Sequence, residues 1–260
     1  MGMNDVRDAL VIWLNRLEIR GPLTARDRDV ILSFPGSVRT YRPSRDIVQL
    51  GERTSHVSLV VGGIVGRFGQ TRNGARQLTA LHIKGDMCDL HSAVLPVVSA
   101  PLQSTQDVTI YRIAHEDIRE AAERSASLAR AFWRDCAVDA QIASEWLLNI
   151  GRRTALSRLA HLICELATRY VAIGRPAADF ALGMTQSQLG EATGLTGVHI
   201  NRTLRTLRQQ QLIGVTNGSL TILDWHGLAA LAEFDSHYLH LGERALAARR
   251  DETQPASYRL

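Results

Sequence analysis

The sequence predicts an α+β protein in which an antiparallel sheet comes first, a long helix follows and a small, mainly helical domain comes last. Between Val38 and Ile113, short apolar stretches with the period of strands are separated by glycine-containing turns. From His115 to about Asn149 the apolar residues recur with the period of a helix. Beyond Thr185, two short helical patterns meet at a glycine.

Composition sets broad limits on the function. The chain has 260 residues, and 30 Lys and Arg against 26 Asp and Glu give a net charge of +4, which is compatible with nucleic-acid binding without arguing for it. Lys84 is the only lysine, so nearly all the positive charge is arginine. Cys88, Cys136 and Cys164 form no close pair, and no apolar stretch approaches a membrane span. We therefore expect a cytoplasmic protein with no membrane contact.

The N-terminal segment predicts two helices. Val6–Leu17 has apolar residues at helical spacing, namely Ala9, Leu10, Trp13, Leu14 and Leu17. Thr24 opens a second helix, in which Asp27 is placed to complete a capping box. Pro35-Gly36 ends that helix.

The strand-rich segment predicts a sandwich or a barrel of antiparallel strands. Gly62-Gly63 separates two apolar runs, and Asn73-Gly74 separates the next pair, both of which we interpret as hairpin turns. Two further strands follow, around Gln77–Ile83 and Val108–Ile113.

The long helix is apolar on more than one face. We expect one face to pack on the sheet and another to contact a second subunit, which would also explain four exposed-looking residues, Phe132, Trp133, Cys136 and Trp146. The predicted dimer contacts are Leu128, Phe132, Cys136, Ile142 and Trp146. The alternative is a helix that is buried wholly within one subunit.

The remaining boundaries follow from glycines and charge. Asn149–Arg153 contains a glycine between two helical patterns and predicts a hinge, after which Thr154–Val171 is an amphipathic helix. Residues 243–260 contain little apolar material and are expected to be disordered. The predicted organisation is thus residues 1–114 for the N-terminal helices and sheet, 115–149 for the long helix, 150–242 for the C-terminal domain and 243–260 for the tail.

The segment from Thr196 to Leu212 carries the clearest functional pattern. On a helical wheel, Thr196, Leu204 and Leu207 cluster around Ile200, and the opposite face holds donors and no acid: Val198, His199, Arg202, Arg205, Thr206 and Gln209. The preceding helix starts with a Thr185/Gln188 capping box and ends at Gly194. This arrangement is a helix-turn-helix, whose second helix enters a DNA major groove, and Asn217-Gly218 then predicts a hairpin wing.

The order of these elements resembles the Crp/Fnr family of bacterial transcription regulators over nearly the whole chain. The best match is TQSQLGEATGLTGVHINRTLRTLRQQQLI, and a weaker one runs from LGERTSHVS to IKGD with Gly51, Gly63 and Gly85 at turns. The resemblance implies an N-terminal antiparallel β jelly-roll sensor domain, a long dimerisation helix and a C-terminal winged helix-turn-helix domain. It also implies a homodimer that binds a pseudo-palindromic DNA operator and contacts RNA polymerase.

The resemblance assigns the DNA-binding residues. Arg202 matches the family arginine that reads a guanine in each half-site, whereas Val198 stands where many members have a glutamate. A different preferred operator is therefore expected, with an apolar contact such as a thymine methyl group at Val198. His199 fits either a base or phosphate contact or an uninvolved exposed residue. The full predicted set is Thr185, Gln186, Thr196, Gly197, Val198, His199, Asn201, Arg202, Arg205 and Arg208.

The sensor segment departs from the cyclic-nucleotide binders of the family. The Gly-Glu pair and the later arginine of those proteins are missing, and no arginine lies between Asp86 and Arg112. Cyclic AMP is therefore not the expected effector, and residues 93–100 are expected to fill the pocket or to face an uncharged ligand. If a phosphate were bound, the arginines to suspect would be Arg67, Arg72 and Arg76. The candidate effector-pocket residues are Cys88, Asp89 and His91.

Two other functions remain open at this point. Cys88 and His91 are both suitable axial ligands for haem, so a haem- or redox-sensing regulator is one alternative. A jelly-roll metalloenzyme with a helical appendage is another, but it needs a His-x-His pair, and His82 and His91 are nine residues apart with His56 isolated. An adaptor that has lost DNA binding conflicts with the arginine face. We expect no catalytic residue, no metal ligand and no cofactor.

Overall fold

The computed structural model describes residues 3–175, 179–181, 183–216 and 219–242. It divides into two compact units, Met1–Ala143 and Ser144–Leu260, each with buried apolar residues of its own. The predicted tail at residues 243–260 and the predicted wing turn at Asn217-Gly218 lie outside the described residues.

Unit 1 is a strand-rich domain flanked by helices. It begins with α1 (Met3–Arg20) and α2 (Ala25–Leu32). The strands are β1 (Gly36–Tyr41), β2 (Asp46–Val48), β3 (His56–Gly62), β4 (Val65–Gln70), β5 (Arg76–His82), β6 (Leu102–Ser104) and β7 (Val108–Ala114), with a 3-10 turn at Leu90–Ala93. The helices α3 (His115–Arg124) and α4 (Ala126–Arg152) follow, and α4 continues into unit 2.

The strands form two antiparallel sheets, in the orders β1-β7-β3 and β2-β6-β4-β5. The predicted Asn73-Gly74 hairpin joins β4 to β5 and is confirmed. The predicted Gly62-Gly63 hairpin is wrong, because β3 pairs with β7 while β4 pairs with β5 and β6. Gly63, with φ of +84°, carries the chain from one sheet to the other, and a Cβ there would lie 2.4 Å from the Asp107 carbonyl oxygen.

The helices of unit 1 pack on one sheet around Trp13. All five residues predicted for the buried face of α1 are buried, and the Trp13 ring stacks on Phe132 of α4 with centroids 5.6 Å apart. The predicted capping box of α2 is present: Thr24 accepts from the Asp27 backbone N–H, and Asp27 accepts from the Thr24 backbone N–H. The helical packing therefore fixes one side of α4 against the same unit.

The predicted helix from His115 to Asn149 is broken at Ser125. Ser125 has extended backbone angles, φ −139° and ψ 110°, and separates α3 from α4. The hydroxyl groups of Ser125 and Ser127 each donate to the Asp27 carboxylate at 2.6 Å. Burial alone would raise the pKa of Asp27, but these hydrogen bonds outweigh it and hold the pKa at about 2. The break is thus stabilised by a residue about 100 positions earlier in the chain.

Unit 2 contains the end of α4 and the predicted helix-turn-helix. Its elements are α5 (Ala155–Ala172), β8 (Asp179–Ala181), α6 (Gln186–Thr193), α7 (Gly197–Gln209), β9 (Ile213–Thr216), β10 (Ser219–Ile222), α8 (Trp225–Ala232) and a 3-10 turn at His237–Leu239. The strands pair in the order β8-β10-β9. The predicted hinge at Asn149–Arg153 is displaced, since α4 continues through Gly151 to Arg152 and Thr154 caps α5.

A buried carboxylate ties unit 2 together. Glu165 of α5 is fully buried and accepts hydrogen bonds from the indole nitrogen of Trp146 and the hydroxyl of Tyr238, both at 2.9 Å. Arg169 completes an ion pair with it at 3.1 Å. Because a buried carboxylate needs such partners, this cluster links the end of α4, α5 and the C-terminal 3-10 turn.

Candidate nucleic-acid interface

The turn between α6 and α7 is built from local sequence signals. Gln188 and Thr185 exchange the two hydrogen bonds of a capping box at the start of α6, and Gly194 ends that helix with φ of +66°. Both features confirm the sequence prediction. Gly190 was not singled out from the sequence, yet a Cβ there would lie 2.4 Å from the Leu195 carbonyl oxygen. A glycine four residues before the helix end is therefore what allows the close turn.

One side of α7 is buried in unit 2. Ile200 and Leu207 are fully buried, as predicted, and Thr203 is buried as well, with its hydroxyl donating to the His199 carbonyl. Thr196, predicted to lie on the apolar face, is instead exposed and caps the helix by accepting from the His199 backbone N–H. A hydrogen bond therefore replaces the expected apolar contact at this residue.

The opposite side of α7 exposes arginines. Arg202 and Arg205 are exposed and have no ion pair or hydrogen bond from their side chains to any residue in the described part of the chain. Arg208 is also exposed, and its Nε donates to the Leu204 carbonyl at 3.2 Å. Since α7 contains no acidic residue, this face is a cluster of arginine donors that the helix itself does not neutralise.

The first turn of α7 is held close to the start of α6. The Asn201 side-chain amide donates to the Gln186 side-chain oxygen at 2.7 Å, so two predicted DNA-binding residues contact each other. Gly197 faces open space, and Val198 beside it is 71% exposed. Thr185 and Gln186 are exposed at the N-terminus of α6. All ten predicted DNA-binding residues thus lie on α6, on α7 or on their N-caps, and none of them is buried.

The predicted dimer residues on α4 are placed differently. Leu128, Phe132 and Trp146 are buried within their own units, so their assignment as contacts to a second chain is wrong. Cys136 and Ile142 are half-buried. Five of the exposed residues of α4 recur instead at intervals of four and three, the spacing of a coiled-coil seam. They are Trp133 (77% exposed), Ala137, Ala140, Ser144 and Leu147.

Three comparisons with known proteins agree with the helix-turn-helix formed by α6 and α7. Residues 157–231 match the family model of the Crp-like helix-turn-helix domain. The transcriptional activator protein FnrA of Stutzerimonas stutzeri is 24% identical over 210 residues, 81% of this chain and 86% of that protein. The structure of FixK2 from Bradyrhizobium japonicum aligns with a TM-score of 0.70 and 26% identity, covering 76% of this chain and 97% of that one. Together these findings support a transcription regulator of the Crp/Fnr family.

A Crp/Fnr regulator of this kind is a DNA-binding transcription regulator, with a β sensor domain before the helix-turn-helix. A Crp-family regulator from Thermus thermophilus shares the fold, with a TM-score of 0.60 and 14% identity. Within the described residues, no helix is both long and apolar enough to cross a membrane.

The candidate effector residues of this Crp/Fnr chain are mostly core residues. Cys88 is fully buried among apolar side chains, and burial raises the pKa of its thiol well above the usual range. Asp89 is also buried, and its carboxylate accepts from the Ser58 backbone N–H at 2.6 Å and from the Ser58 hydroxyl at 3.1 Å. Burial raises the pKa of Asp89 to about 6 despite these bonds. Of the three candidate effector-pocket residues, only His91 is exposed to solvent.

The surroundings of Cys88 do not favour a haem site. Haem ligation by cysteine needs a thiolate, which the apolar surroundings of Cys88 disfavour. Within residues 93–100, Val94, Leu95 and Val97 are 73%, 66% and 52% exposed and so do not fill a pocket, whereas the alternative that this segment faces an uncharged ligand stays a prediction. Among the described residues, no group of three or more His, Cys, Asp or Glu side chains is arranged to hold a metal ion.

Two of the arginines suspected of phosphate binding already have protein partners. Arg67 of β4 pairs with Asp139 of α4 at 2.8 Å and donates to the Cys88 carbonyl. Arg76 donates to the Gln103 side chain at 2.9 Å and lies over the Phe68 ring. Arg72 is exposed in the β4–β5 turn. The Arg67–Asp139 pair was not predicted, because its partners are 72 residues apart and neither lies in a recognisable motif.

Proposed function

We propose that this chain binds a pseudo-palindromic operator as a homodimer in the cytoplasm and regulates transcription through contact with RNA polymerase, without a catalytic role. The observation that carries the proposal is the exposed, acid-free face of α7, on which Arg202 and Arg205 have no partner among the described residues. An unpaired guanidinium on a helix that can enter a major groove is suited to guanine and to phosphate.

The exposed residues divide into base readers and positioning contacts. Arg202 reads a guanine in each half-site through a bidentate pair, and Val198 contacts a thymine methyl group. Arg205 and Arg208 contact phosphates, together with Thr185 and Gln186 at the N-terminus of α6, where unpaired backbone N–H groups favour anions. Gly197, which faces open space, leaves room for the DNA at the start of α7. Asn201 holds Gln186 in place.

Two copies of α4 form the dimer along the exposed seam. Trp133, Ala137 and Ala140 of unit 1 are exposed at coiled-coil spacing, and the same spacing continues at Ser144 and Leu147. Small residues at three of these positions allow close approach of the helices, while Trp133 supplies the largest apolar surface. A two-fold dimer then places two α7 helices about one helical turn, roughly 34 Å, apart on the DNA.

DNA binding does not depend on a cyclic nucleotide. Arg67 of β4 is paired with Asp139 of the same chain, so a cyclic phosphate bound there would have to displace an existing ion pair. We infer that this internal pair takes the place of a charged effector in holding α4 to the sheet.

Selection of bound sites from random duplex DNA, with the full chain, tests the proposal. We expect two inverted half-sites that each contain a guanine, a footprint over both, and altered transcription by RNA polymerase from a promoter that carries the site. The variant Arg202→Ala should select sites without that guanine. The proposal is overturned if no sequence is enriched, or if the footprint covers one half-site only.

A further inference from the structure

We propose that Thr196 sets the tautomer of His199, so that the His199 ring presents an N–H donor to the DNA and reads a hydrogen-bond acceptor on the base next to the Arg202 guanine. This inference rests on the proposed function, because it takes α7 to be the helix in the major groove. His199 is then a specificity-determining residue, and Thr196 is a positioning residue that acts through it.

The two side chains are in direct contact at the start of α7. Thr196 is the N-cap, and its Oγ1 accepts from the His199 backbone N–H at 3.4 Å. The same Oγ1 lies 3.2 Å from Nδ1 of the His199 ring. Both residues are exposed, so the ring atom that is free to meet another molecule is Nε2. One hydroxyl group therefore contacts both the backbone and the ring of His199.

Proton accounting at this contact favours one arrangement. A neutral imidazole has one N–H and one lone pair, and the hydrogen bond to one nitrogen determines what the other can do. Within the described part of the chain, the Thr196 hydroxyl has no acceptor other than Nδ1. If the hydroxyl donates to Nδ1 while it accepts from the backbone N–H, every polar atom of the contact is satisfied. The ring proton then lies on Nε2, which makes the outward-facing atom a donor.

The position of His199 on the helix determines what this donor meets. His199 and Arg202 are three residues apart and therefore lie on the same face of α7. In the major groove, guanine presents acceptors at N7 and O6, adenine at N7 and thymine at O4, whereas the cytosine edge presents a donor. An N–H donor at Nε2 therefore favours guanine, adenine or thymine at this base position and disfavours cytosine.

Base preference at this position is the first test. With full-length protein and a selected operator, His199→Ala should reduce discrimination at one position in each half-site by about 3- to 10-fold, the effect of one hydrogen bond. The preference for the Arg202 guanine should be unchanged. The matched control is His226→Ala, an exposed histidine on α8. If the wild-type protein reads the Arg202 guanine but His199→Ala selects the same bases as wild type, the inference fails while the proposed function stands.

The tautomer is tested by changing the cap. Thr196→Asp retains an N-cap acceptor but cannot donate, so in a neutral His199 ring Nδ1 carries the proton and Nε2 becomes an acceptor. The base preference should then shift towards adenine or cytosine, whose edges offer an amino donor, whereas Thr196→Ser should keep the wild-type preference. An unchanged preference in Thr196→Asp overturns the role of Thr196.

If Thr196→Asp binds DNA too weakly for its base preference to be measured, the tautomer of His199 can be determined in the free protein. Side-chain ¹⁵N spectra of the histidine-labelled full chain, with His199 assigned by its loss in His199→Ala, report which ring nitrogen carries the proton. We expect a protonated Nε2 in the wild-type protein and in Thr196→Ser, and a protonated Nδ1 in Thr196→Asp. A protonated Nδ1 in the wild-type protein would refute the inference directly.

Discussion

Replacing Trp133 by glutamate should convert the dimer into monomers that remain folded. A tryptophan side chain contributes about 150–250 Å² of surface, and 77% of Trp133 is exposed on α4. Covering about half of that exposed surface on each of two chains removes roughly 150 Å² from water, which is worth about 4 kcal/mol. Its loss weakens the dimer about a thousandfold, and the buried charge adds to the effect.

Sedimentation velocity and far-UV circular dichroism check this prediction together. Trp133→Glu should sediment as a monomer with its helical content retained, and it should lose affinity for the two-half-site operator. The control Val38→Glu places the same charge on an exposed apolar residue of β1 and should remain dimeric. In contrast, Phe132→Asp should unfold unit 1, because Phe132 is buried against Trp13. A dimeric Trp133→Glu protein, or a folded monomeric Phe132→Asp protein, would show that the seam has been placed on the wrong face.

Three further predictions concern the DNA contacts, the break before α4 and the effector. Arg202→Ala should remove about 1–3 kcal/mol of discrimination at one guanine per half-site. Arg208→Ala should instead lower the affinity for all DNA sequences alike, and the slope of log affinity against log salt concentration should fall by about 1 in binding titrations. If neither variant changes base preference, the assigned roles are wrong. Asp27→Asn should lower the free energy of unfolding by about 2 kcal/mol at pH 7, because the pKa of Asp27 is lowered to about 2 and an amide has only one acceptor oxygen for its donors. This contribution is present above the usual carboxyl pKa and is lost as the pH falls towards 2. The difference in the free energy of unfolding between wild type and Asp27→Asn, measured by urea titration, should therefore be smaller at pH 3 than at pH 7. An equal difference at both pH values would contradict the lowered pKa of Asp27. Millimolar cyclic AMP or cyclic GMP should change neither the melting temperature nor the operator affinity. Binding would be detected, because a ligand at a hundred times its Kd stabilises a folded protein by about 2.7 kcal/mol. A saturable shift of the melting temperature would count against the prediction.

Features encoded within a few residues could be predicted from the sequence. The capping boxes at Thr24 and Thr185 and the end of α6 at Gly194 depend on local hydrogen bonds and a single backbone conformation, so the residues themselves specify them. The arginine face of α7 was equally visible, because apolar and polar residues segregate on that helix. The order of elements then identified the fold class.

Features that depend on distant residues could not be predicted in this way. Helix α4 is apolar on two faces, so its own sequence does not decide whether Phe132 or Trp133 points inward, and the stacking of Trp13 on Phe132 decides it. The break at Ser125 depends on Asp27, and the Gly62-Gly63 connection depends on β7 as the partner of β3. Cysteine and aspartate both occur in ligand sites and in protein cores, so the residue types of Cys88 and Asp89 do not distinguish a ligand-binding role from a buried one. The packing of the folded chain is needed to decide between these roles.

The hydrogen bond from Tyr238 to Glu165 sets a lower limit on the length of an independently stable DNA-binding unit. The family match ends at residue 231, within α8, but the fully buried carboxylate of Glu165 takes one of its donors from a residue beyond that point. A chain truncated after α8 would leave that oxygen short of a donor, at a cost of about 1–3 kcal/mol. A ribosome must therefore have released residue 238 before the helix-turn-helix reaches its full stability, although every residue expected to touch DNA has been synthesised about thirty positions earlier.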